Sequence, residues 1–211
     1  MKAAAQSLRF VFGGPTRPTS FWLNSLERQR PLTWVSAQQV HGSRVVTVDR
    51  YSAQLIPDCD SLLCCTPGVG LLMKTADCLP LVLSQDGGPW FGIVHAGWRG
   101  LANGVITSSL RVLQAQGVSL NQLRVWIGPH MQAMCYQVGL QVRERFGGVP
   151  LAIINNAVLN MVAVARFQLQ QLGVSAGAIQ VDKRCTHCDL ALASHRRNAT
   201  RVRNVTAAVR Y

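Results

Sequence analysis

The chain has 211 residues, of which 48% are apolar and 14% are charged, a composition typical of a globular protein rather than a disordered one. No apolar run approaches the roughly 20 residues that a membrane span needs, and the opening MKAAAQSLRF lacks the apolar stretch of a secretory signal. Seven irregularly spaced cysteines argue against a disulfide framework. We therefore expect one cytoplasmic domain without a membrane partner.

The charge of the chain is strongly basic. Lysine and arginine number 21 against nine acidic residues, giving a net charge of +12, and most of the basic residues are arginines. Arginine binds phosphate through paired hydrogen bonds that lysine cannot form. The charge therefore favours a phosphate- or nucleotide-binding cleft or non-specific attraction to nucleic acid, although a solvated basic surface explains it equally well. The arginines are scattered, without a basic stripe of interleaved aromatic residues, so we predict no specific nucleic-acid partner.

The first half of the chain is predicted to be rich in strands. The first 30 residues are expected to be mostly loop, because Gly13-Gly14-Pro15 and Pro18 interrupt them, with one short strand at Leu8–Phe12. Apolar and β-branched runs then predict further strands, separated by turn signals such as Asp86-Gly87-Gly88-Pro89. These strands are Leu32–Val35, Arg44–Val48, Ser61–Cys65, Leu71–Thr75, Leu79–Ser84 and Trp90–Val94.

The second half is predicted to contain two helices. Apolar residues recur on one face of residues 101–116, which Gly117 ends, and of residues 157–172, with Asn155-Asn156 as the cap. Strands at Leu123–Ile127 and near Ala178–Val181 complete a mixture of helices and strands. No repeat or linker divides the chain, so a single domain is predicted.

Three short segments each carry one metal ligand. They are QQVHG with His41, TADCLP with Cys78 and HAGWRG with His95. Two imidazoles and a thiolate would leave the fourth position of a tetrahedral zinc ion open, as in catalytic rather than structural sites. Individually, His41 could be a loop histidine and Cys78 a buried core thiol. One ion would satisfy all three side chains at once, which favours a metal site.

The residues after the third segment favour an anion pocket beside the metal. Trp98 offers a flat wall for a nucleobase or for packing, Arg99 could clamp a phosphate, and the helix predicted from Leu101 would present unpaired N–H groups. Asp60 and Asp77 are the nearest carboxylates, and either could orient a ligand histidine or cap a turn. We favour a structural or orienting role for Asp77.

These segments, with IGP at Ile127–Pro129 and the C-terminal RCT and SHRR, resemble the YfiH/YlmD-like family, whose human relative is the laccase-domain-containing protein. TADCLP followed by HAGWRG is highly specific. The resemblance implies an α+β fold, a single YfiH-like domain over residues 1–211 with mixed β-sheets flanked by helices. It also implies a metal, usually zinc, on His41, Cys78 and His95. The implied activity is phosphorolysis of purine nucleosides, with adenosine deamination as a second reaction.

The resemblance also suggests how substrate would be held. Arg99, with Arg196 or Arg197, would bind phosphate, and Cys185 and this arginine pair would close over the site. The first ~30 residues look shortened relative to the family, and Val11 stands where the family has an arginine. If that arginine binds phosphate, phosphorolysis is expected to be weaker here while the metal site survives.

Other functions stay open from the sequence. A metal-free cysteine hydrolase or amidase would use Cys78 as nucleophile and His95 as base. The family's older names, polyphenol oxidase and laccase, suggest a copper enzyme. Five histidines without an H-x-H pair are too few for a multicopper centre, but one copper ion could occupy the three-ligand site. The C-x-x-C at Cys185–Cys188 has no second pair, so a structural zinc site there is not expected, and no pattern indicates an oligomeric state.

Overall fold

Two β-sheets packed face to face form the centre of the computed structural model, which describes residues 7–27, 32–155 and 157–211. In chain order the strands are β1 Leu8–Gly13, β2 Thr33–Ala37, β3 Val45–Val48, β4 Leu55–Ile56, β5 Ser61–Cys64, β6 Val69–Thr75, β7 Leu79–Gln85, β8 Phe91–Ala96, β9 Leu123–Ile127, β10 Ile153–Ile154, β11 Val158–Leu159, β12 Ile179–Val181 and β13 Asn204–Arg210. The helices are α1 Thr19–Leu26, α2 Trp98–Ala102, α3 Val105–Ala115, α4 Leu140–Glu144, α5 Met161–Gln171 and α6 His195–Asn198.

Both large sheets are mixed. Sheet 1 has five strands in the order β1-β13-β6-β2-β4, and sheet 2 has six in the order β12-β9-β7-β8-β5-β3. Parallel pairs lie beside antiparallel ones in each, and β10 and β11 form a small separate hairpin. The predicted α+β fold is therefore confirmed. No helix of the described residues is both long and apolar enough to cross a bilayer.

The layers follow from alternation along the strands, because successive side chains of a strand point to opposite faces. In β7, Leu81 and Leu83 pack in the cluster that contains α3 and α5, whereas Val82 packs between the two sheets. The outer face of sheet 1 buries Val205 and Val209 against α1. The order of layers is thus α1, sheet 1, sheet 2, and then α3 with α5.

The predicted strands are present, with ends shifted by one or two residues. The first predicted helix is instead two helices, because Gly104 adopts a left-handed backbone (φ 76°) between α2 and α3. The second begins at Met161 rather than at residue 157, after the short strand β11. Its cap is Asn160, whose side chain accepts a hydrogen bond from the Ala163 N–H at 3.0 Å. Of the predicted cap pair, Asn156 lies outside the described residues.

Of the elements that were not predicted, α1 and β13 are the longest, and the others are α4, α6 and the two-residue strands β4, β10 and β11. Thr19–Leu26 was expected to be loop, but it forms α1, which begins directly after Pro18, where the fixed backbone of proline suits the start of a helix. Asn204–Arg210 was assigned no element in the prediction, but it forms β13, bonded to β1 on one side and β6 on the other. Arg210 is buried and donates hydrogen bonds to Ser84 and Gly88, which ties β13 to sheet 2.

Candidate active site

The three predicted ligands meet at one end of sheet 2. Cys78 immediately precedes β7, and His95 lies in β8, where it is opposite Pro80 in the antiparallel register. His41 approaches from the loop between β2 and β3. The ligand atoms of all three side chains lie within 4.8 Å of one another, and the two imidazole centroids are 4.8 Å apart. The structure therefore brings together residues that are remote in sequence.

Gly97 makes this close approach possible. A Cβ atom at this position would lie 2.8 Å from His41 Cδ2 and 2.9 Å from Cys78 Sγ, closer than carbon and sulfur can pack. Any larger residue would displace two of the three ligands. Gly97 is thus required because a side chain would not fit there, and not because of its backbone angle.

Asp60 fixes two of the ligands. Its buried carboxylate accepts a hydrogen bond from His95 Nδ1 at 2.7 Å and further bonds from the N–H groups of Val40, His41 and Gly42 at 3.2, 3.0 and 2.8 Å. These bonds hold His41 in a left-handed backbone conformation (φ 61°), which a residue with a side chain seldom adopts. Because Nδ1 of His95 is engaged, Nε2 is left to face Cys78. Of the two carboxylates that the sequence offered, Asp60 is therefore the one that orients the histidines.

Cys78 and His95 stabilise each other's charged forms. Burial alone would raise the pKa of Cys78, but the adjacent His95 charge and hydrogen bonds from His41 and His95 outweigh it and lower that pKa. Burial would lower the pKa of His95, but the Cys78 thiolate and Asp60 raise it. A thiolate is the form of cysteine that binds metals and attacks electrophiles. Near neutral pH, the pair in the metal-free protein is therefore a thiolate beside an imidazolium.

Asp77 attaches the C-terminal segment to this site. It precedes Cys78 in a left-handed conformation (φ 91°), and its carboxylate accepts hydrogen bonds from Thr186 Oγ1 and the Arg196 N–H, both at 2.7 Å. These bonds hold Arg196 at the edge of the site. The structural role favoured for Asp77 in the sequence is the one that its contacts support.

A cavity of about 590 Å³ opens over the three ligands, within the usual range for small-molecule sites. Four of its lining residues are lysine or arginine and one is aspartate, so it favours anions. The Arg99 guanidinium lies 4.4 Å from the Trp98 ring centroid, and that of Arg196 lies 5.0 Å from the ring of Tyr136. The lining residues are Gln39, His41, Lys74, Thr75, Ala76, Asp77, Cys78, His95, Trp98, Arg99, Met131, Tyr136, His195, Arg196 and Arg203.

Arg197 does not line this cavity, contrary to the expectation that it could bind phosphate. Its guanidinium donates hydrogen bonds to the backbone carbonyls of Thr186, His187, Asp189 and Leu192, at 2.6 to 3.2 Å. Its donors therefore support the chain around the cavity. The helix beside Arg99 also differs from the prediction: α2 begins at Trp98 and is a single short turn, so Arg99 lies within it rather than before it.

Tyr136 and Thr75 line the cavity but were not predicted as site residues, although Thr75 lies in the TADCLP segment. Burial and the charge of Cys78 raise the pKa of Tyr136 to about 12, so its hydroxyl keeps its proton at neutral pH. Thr75 is buried, and its Oγ1 has no hydrogen-bond partner among the described residues. A buried hydroxyl that faces a cavity without a partner is free to bind a ligand there. Tyr136 is brought to the predicted ligands only by the fold.

Comparison with known proteins identifies the family. Residues 22–210 match the protein family described as multi-copper polyphenol oxidoreductase laccase. A purine nucleoside phosphorylase of Xylella fastidiosa is 35% identical over 184 residues, which cover 81% of this chain and 70% of that protein. The chain therefore belongs to this laccase-domain family, as its motifs predicted.

Solved structures agree with this assignment. The crystal structure of hypothetical protein YfiH from Bacillus licheniformis matches with a TM-score of 0.78 at 27% identity, covering 84% of this chain and 74% of that one. YlmD from Geobacillus stearothermophilus matches equally well, at 28% identity over 84% of this chain and 73% of that one. The predicted YfiH-like fold is confirmed.

The family description mentions several copper ions, but the donors here are few. Within residues 7–27, 32–155 and 157–211, two groups of three side chains could hold a metal. One is His41, Cys78 and His95, and the other is Cys135, His187 and Cys188, which does not line the cavity. Each group has the donors for one ion, and neither has the histidines of a multicopper centre.

Proposed function

We propose that this protein is a metal-dependent purine nucleoside phosphorylase whose reaction takes place over His41, Cys78 and His95. The observation that carries the proposal is a cationic cavity of about 590 Å³ directly above these three donors. The Xylella fastidiosa relative named purine nucleoside phosphorylase supports the substrate class. Phosphate and nucleoside are the two partners that such a cavity would have to hold together.

The donor set fits a metal ion. Two imidazoles and one thiolate suit zinc or a single copper ion, and the hydrogen bond from His95 Nδ1 to Asp60 is the arrangement that orients metal-bound histidines. Gly97 leaves space where a side chain would separate the ligands. We favour zinc, which when bound would supply a Lewis acid for charge that develops on the substrate.

Phosphate would be held by arginine. Arg99 and Arg196 line the cavity, and each guanidinium lies against an aromatic ring, which restricts its orientation. Arginine forks form paired hydrogen bonds to phosphate oxygens. Lys74 and Arg203 add positive charge to the same wall. Arg197 is assigned a supporting role only.

The nucleoside would lie between these arginines and the aromatic wall. Phosphate oxygen attacks the anomeric carbon of the ribose, the bond from that carbon to the purine nitrogen breaks, and the electron pair leaves with the base. The Tyr136 hydroxyl can donate a hydrogen bond to a ring nitrogen, since it stays protonated at neutral pH. The Thr75 hydroxyl is available to the ribose. Trp98 supplies a surface on which the purine can stack.

The proposed second reaction is deamination of adenosine at the same site. Water replaces the amino group on the purine ring, giving inosine and ammonia, and phosphate is not needed. The two reactions can therefore be separated by leaving phosphate out. Deamination should continue without phosphate, whereas release of free base should stop.

The test uses untagged, zinc-loaded protein with adenosine or inosine, with and without phosphate. Free purine base and ribose 1-phosphate are measured by chromatography, and inosine reports deamination. Cys78→Ala is the inactive control, and Cys65→Ser is the matched thiol control, because Cys65 belongs to neither metal-ligand group. Base release no faster in the wild type than in Cys78→Ala would reject the proposal.

One observation favours a second candidate, a cysteine hydrolase. The Cys78 thiolate, the His95 imidazolium and the Asp60 carboxylate have the order of a nucleophile, a base and an orienting acid. This enzyme would be active without metal and would be inactivated by alkylation of Cys78. Activity that survives exhaustive chelation would favour it over the phosphorylase, whereas protection of Cys78 from alkylation by zinc would oppose it.

A further inference from the structure

A second group of sulfur and nitrogen donors lies outside the cavity. Cys135 ends the short turn Ala133–Cys135, and His187 and Cys188 lie in the turn that follows Cys185. The ligand atoms of Cys135, His187 and Cys188 are within 4.8 Å of one another, and the sulfurs of Cys135 and Cys188 are 3.4 Å apart. Cys135 and His187 are half-buried and Cys188 is exposed.

The spacing of these atoms suits a tetrahedral ion. Zinc bound to thiolates at about 2.3 Å places two sulfurs roughly 3.8 Å apart. The observed 3.4 Å is close to this value and well beyond the roughly 2.05 Å of a disulfide bond. A small outward rotation of either side chain would open the space that an ion needs.

A fourth donor lies beside the group. The Cys185 thiol lies near those of Cys135 and Cys188, although it is not one of the three ligand atoms within 4.8 Å of one another, and its sulfur accepts a hydrogen bond from the Gln132 N–H at 3.4 Å. The Cys185 carbonyl accepts hydrogen bonds from the N–H groups of Cys188 and Asp189, which turns the C-x-x-C segment back on itself. Such a turn presents two cysteines to one point, as the C-x-x-C halves of structural zinc sites do.

The sequence contains only half of this group within one segment. Cys185 and Cys188 have no second C-x-x-C pair, which is why a structural zinc site was not expected there. The structure supplies the missing donor from Cys135, 53 residues before Cys188. Two backbone contacts hold the segments together: the Thr186 N–H bonds to the His130 carbonyl at 3.0 Å, and His130 pairs with Cys185 as an isolated bridge.

We propose that Cys135, His187 and Cys188, with Cys185 as the fourth ligand, form a structural zinc site. Four protein ligands leave no open position, so this ion would not contact substrate. It would join the two segments that carry Tyr136 and Thr186. Tyr136 lines the cavity, and Thr186 donates its hydroxyl to Asp77 beside Cys78. The site would thus support the cavity wall from behind, and it does not depend on the proposed activity.

Metal stoichiometry tests this proposal. Untagged protein is purified with a phosphine reductant, loaded with Zn²⁺, freed of loosely bound metal and analysed for zinc per chain. Cys135→Ser/Cys188→Ser should hold one zinc fewer than Cys65→Ser, which replaces a thiol outside both groups. Cys188→Ser alone replaces an exposed residue, so it keeps the test valid if the double variant does not fold.

Cobalt distinguishes the two sites. In His41→Ala/Cys78→Ala protein, bound Co²⁺ should show a thiolate-to-cobalt absorption about three times that of Cys135→Ser/Cys188→Ser protein. The reason is that the second group offers three sulfurs and the first offers one. Zinc contents equal to that of Cys65→Ser in both serine variants would overturn the proposal. A Cys135–Cys188 disulfide, detected by mass in protein kept reduced, would overturn it as well.

Discussion

The two donor groups of this protein are built in different ways. His41, Cys78 and His95 meet at the floor of a cationic cavity, and Asp60 fixes two of them through a buried carboxylate. The group of Cys135, His187 and Cys188 lies half-exposed on two turns, and its contacts are mostly to backbone and to sulfur. Both groups contain soft ligands, so the ligand type alone does not separate them.

The difference lies in what surrounds the ligands. Around the first group the structure holds uncommon backbone conformations at His41 and Asp77, a glycine without room for Cβ, and a thiolate–imidazolium pair. Uncommon backbone conformations cost stability and cluster at functional sites. The second group does not line the cavity over the first. The first arrangement is suited to reaction and the second to holding two segments together.

Cys78→Ala gives the largest expected effect. It removes a ligand and the charge that raises the pKa of His95. We expect turnover to fall by more than the roughly 10- to 100-fold that follows loss of a group that merely orients a ligand. Zinc content should fall by one per chain, with the Cys135 group unaffected. The rate of nucleoside phosphorolysis and the zinc content are measured on one preparation. Unchanged turnover would mean that the activity does not take place at this cavity.

Asp60→Asn is expected to have the next largest effect. The amide keeps the size of the carboxylate but loses its charge and places an N–H₂ group where an acceptor is needed for the N–H groups of Val40, His41 and Gly42. Zinc affinity or activity should fall roughly 10- to 100-fold. Competition with a chelator measures the affinity. Asp86→Asn, which removes an exposed ion pair with Arg124, is the matched control and should change neither quantity.

The number of protons released when zinc binds should depend on pH. Between the lowered pKa of Cys78 and the raised pKa of His95, the metal-free pair carries one proton, on His95. Zinc requires a thiolate and a neutral imidazole, so binding should release about one proton from this pair, and affinity should rise about tenfold per pH unit. Above the pKa of His95 the rise should stop. Calorimetry in buffers of different ionisation enthalpy measures the release.

The same pair makes the stability of the metal-free protein depend on pH in two directions. The raised pKa of His95 gives stability that is lost as the pH rises through it, and the lowered pKa of Cys78 gives stability that is lost as the pH falls through it. Between the two values the His95 contribution therefore falls while the Cys78 contribution rises, so the stability of the wild type should change little with pH in this range. Cys78→Ala leaves only the contribution of His95, whose charge Asp60 still supports, so denaturant unfolding of the variant should depend on pH more steeply than that of the wild type.

Arg99→Lys should have the smallest effect. Lysine keeps the charge but loses the paired hydrogen bonds and the planar contact with Trp98. We expect KM for phosphate to rise roughly fivefold with a smaller change in KM for the nucleoside. Arg111→Lys, on the outer surface of α3, is the control and should leave both unchanged. An equal rise in both constants would mean that Arg99 does not contact phosphate.

Much of the fold could be predicted from local pattern. β7 and β8 are short apolar runs between turn signals, and they are the neighbouring strands that bring Cys78 and His95 together. The three ligands lie in short, distinctive segments, so their chemistry could be predicted without their contacts. The ends of some strands and helices differ from the prediction by a few residues. Gly104 is one cause, because its left-handed backbone separates α2 from α3.

Other features depend on contacts between distant residues. Asp60 bonds both to the loop at residues 40–42 and to His95 because β5 lies between β3 and β8, whereas the sequence offered Asp60 and Asp77 alike for this role. Arg197 stays out of the cavity because its guanidinium donates to four backbone carbonyls of the folded turn. Cys135 likewise lies beside Cys188 only because the fold brings two distant segments together. These partners are set by the fold, so a pattern within one segment cannot predict them.

Strand β13 has a consequence for how the protein is made. Sheet 1 places Asn204–Arg210 between β1 and β6, so the earliest and the latest described strands are neighbours. During synthesis from the N-terminus, β1 has no partner in this sheet until residues 204–210 leave the ribosome. The edges of β1 and β6 that face β13 therefore stay unpaired until Asn204–Arg210 has been made. Nascent chains stalled before Asn204 should therefore bind chaperones, and chains released after Arg210 should not.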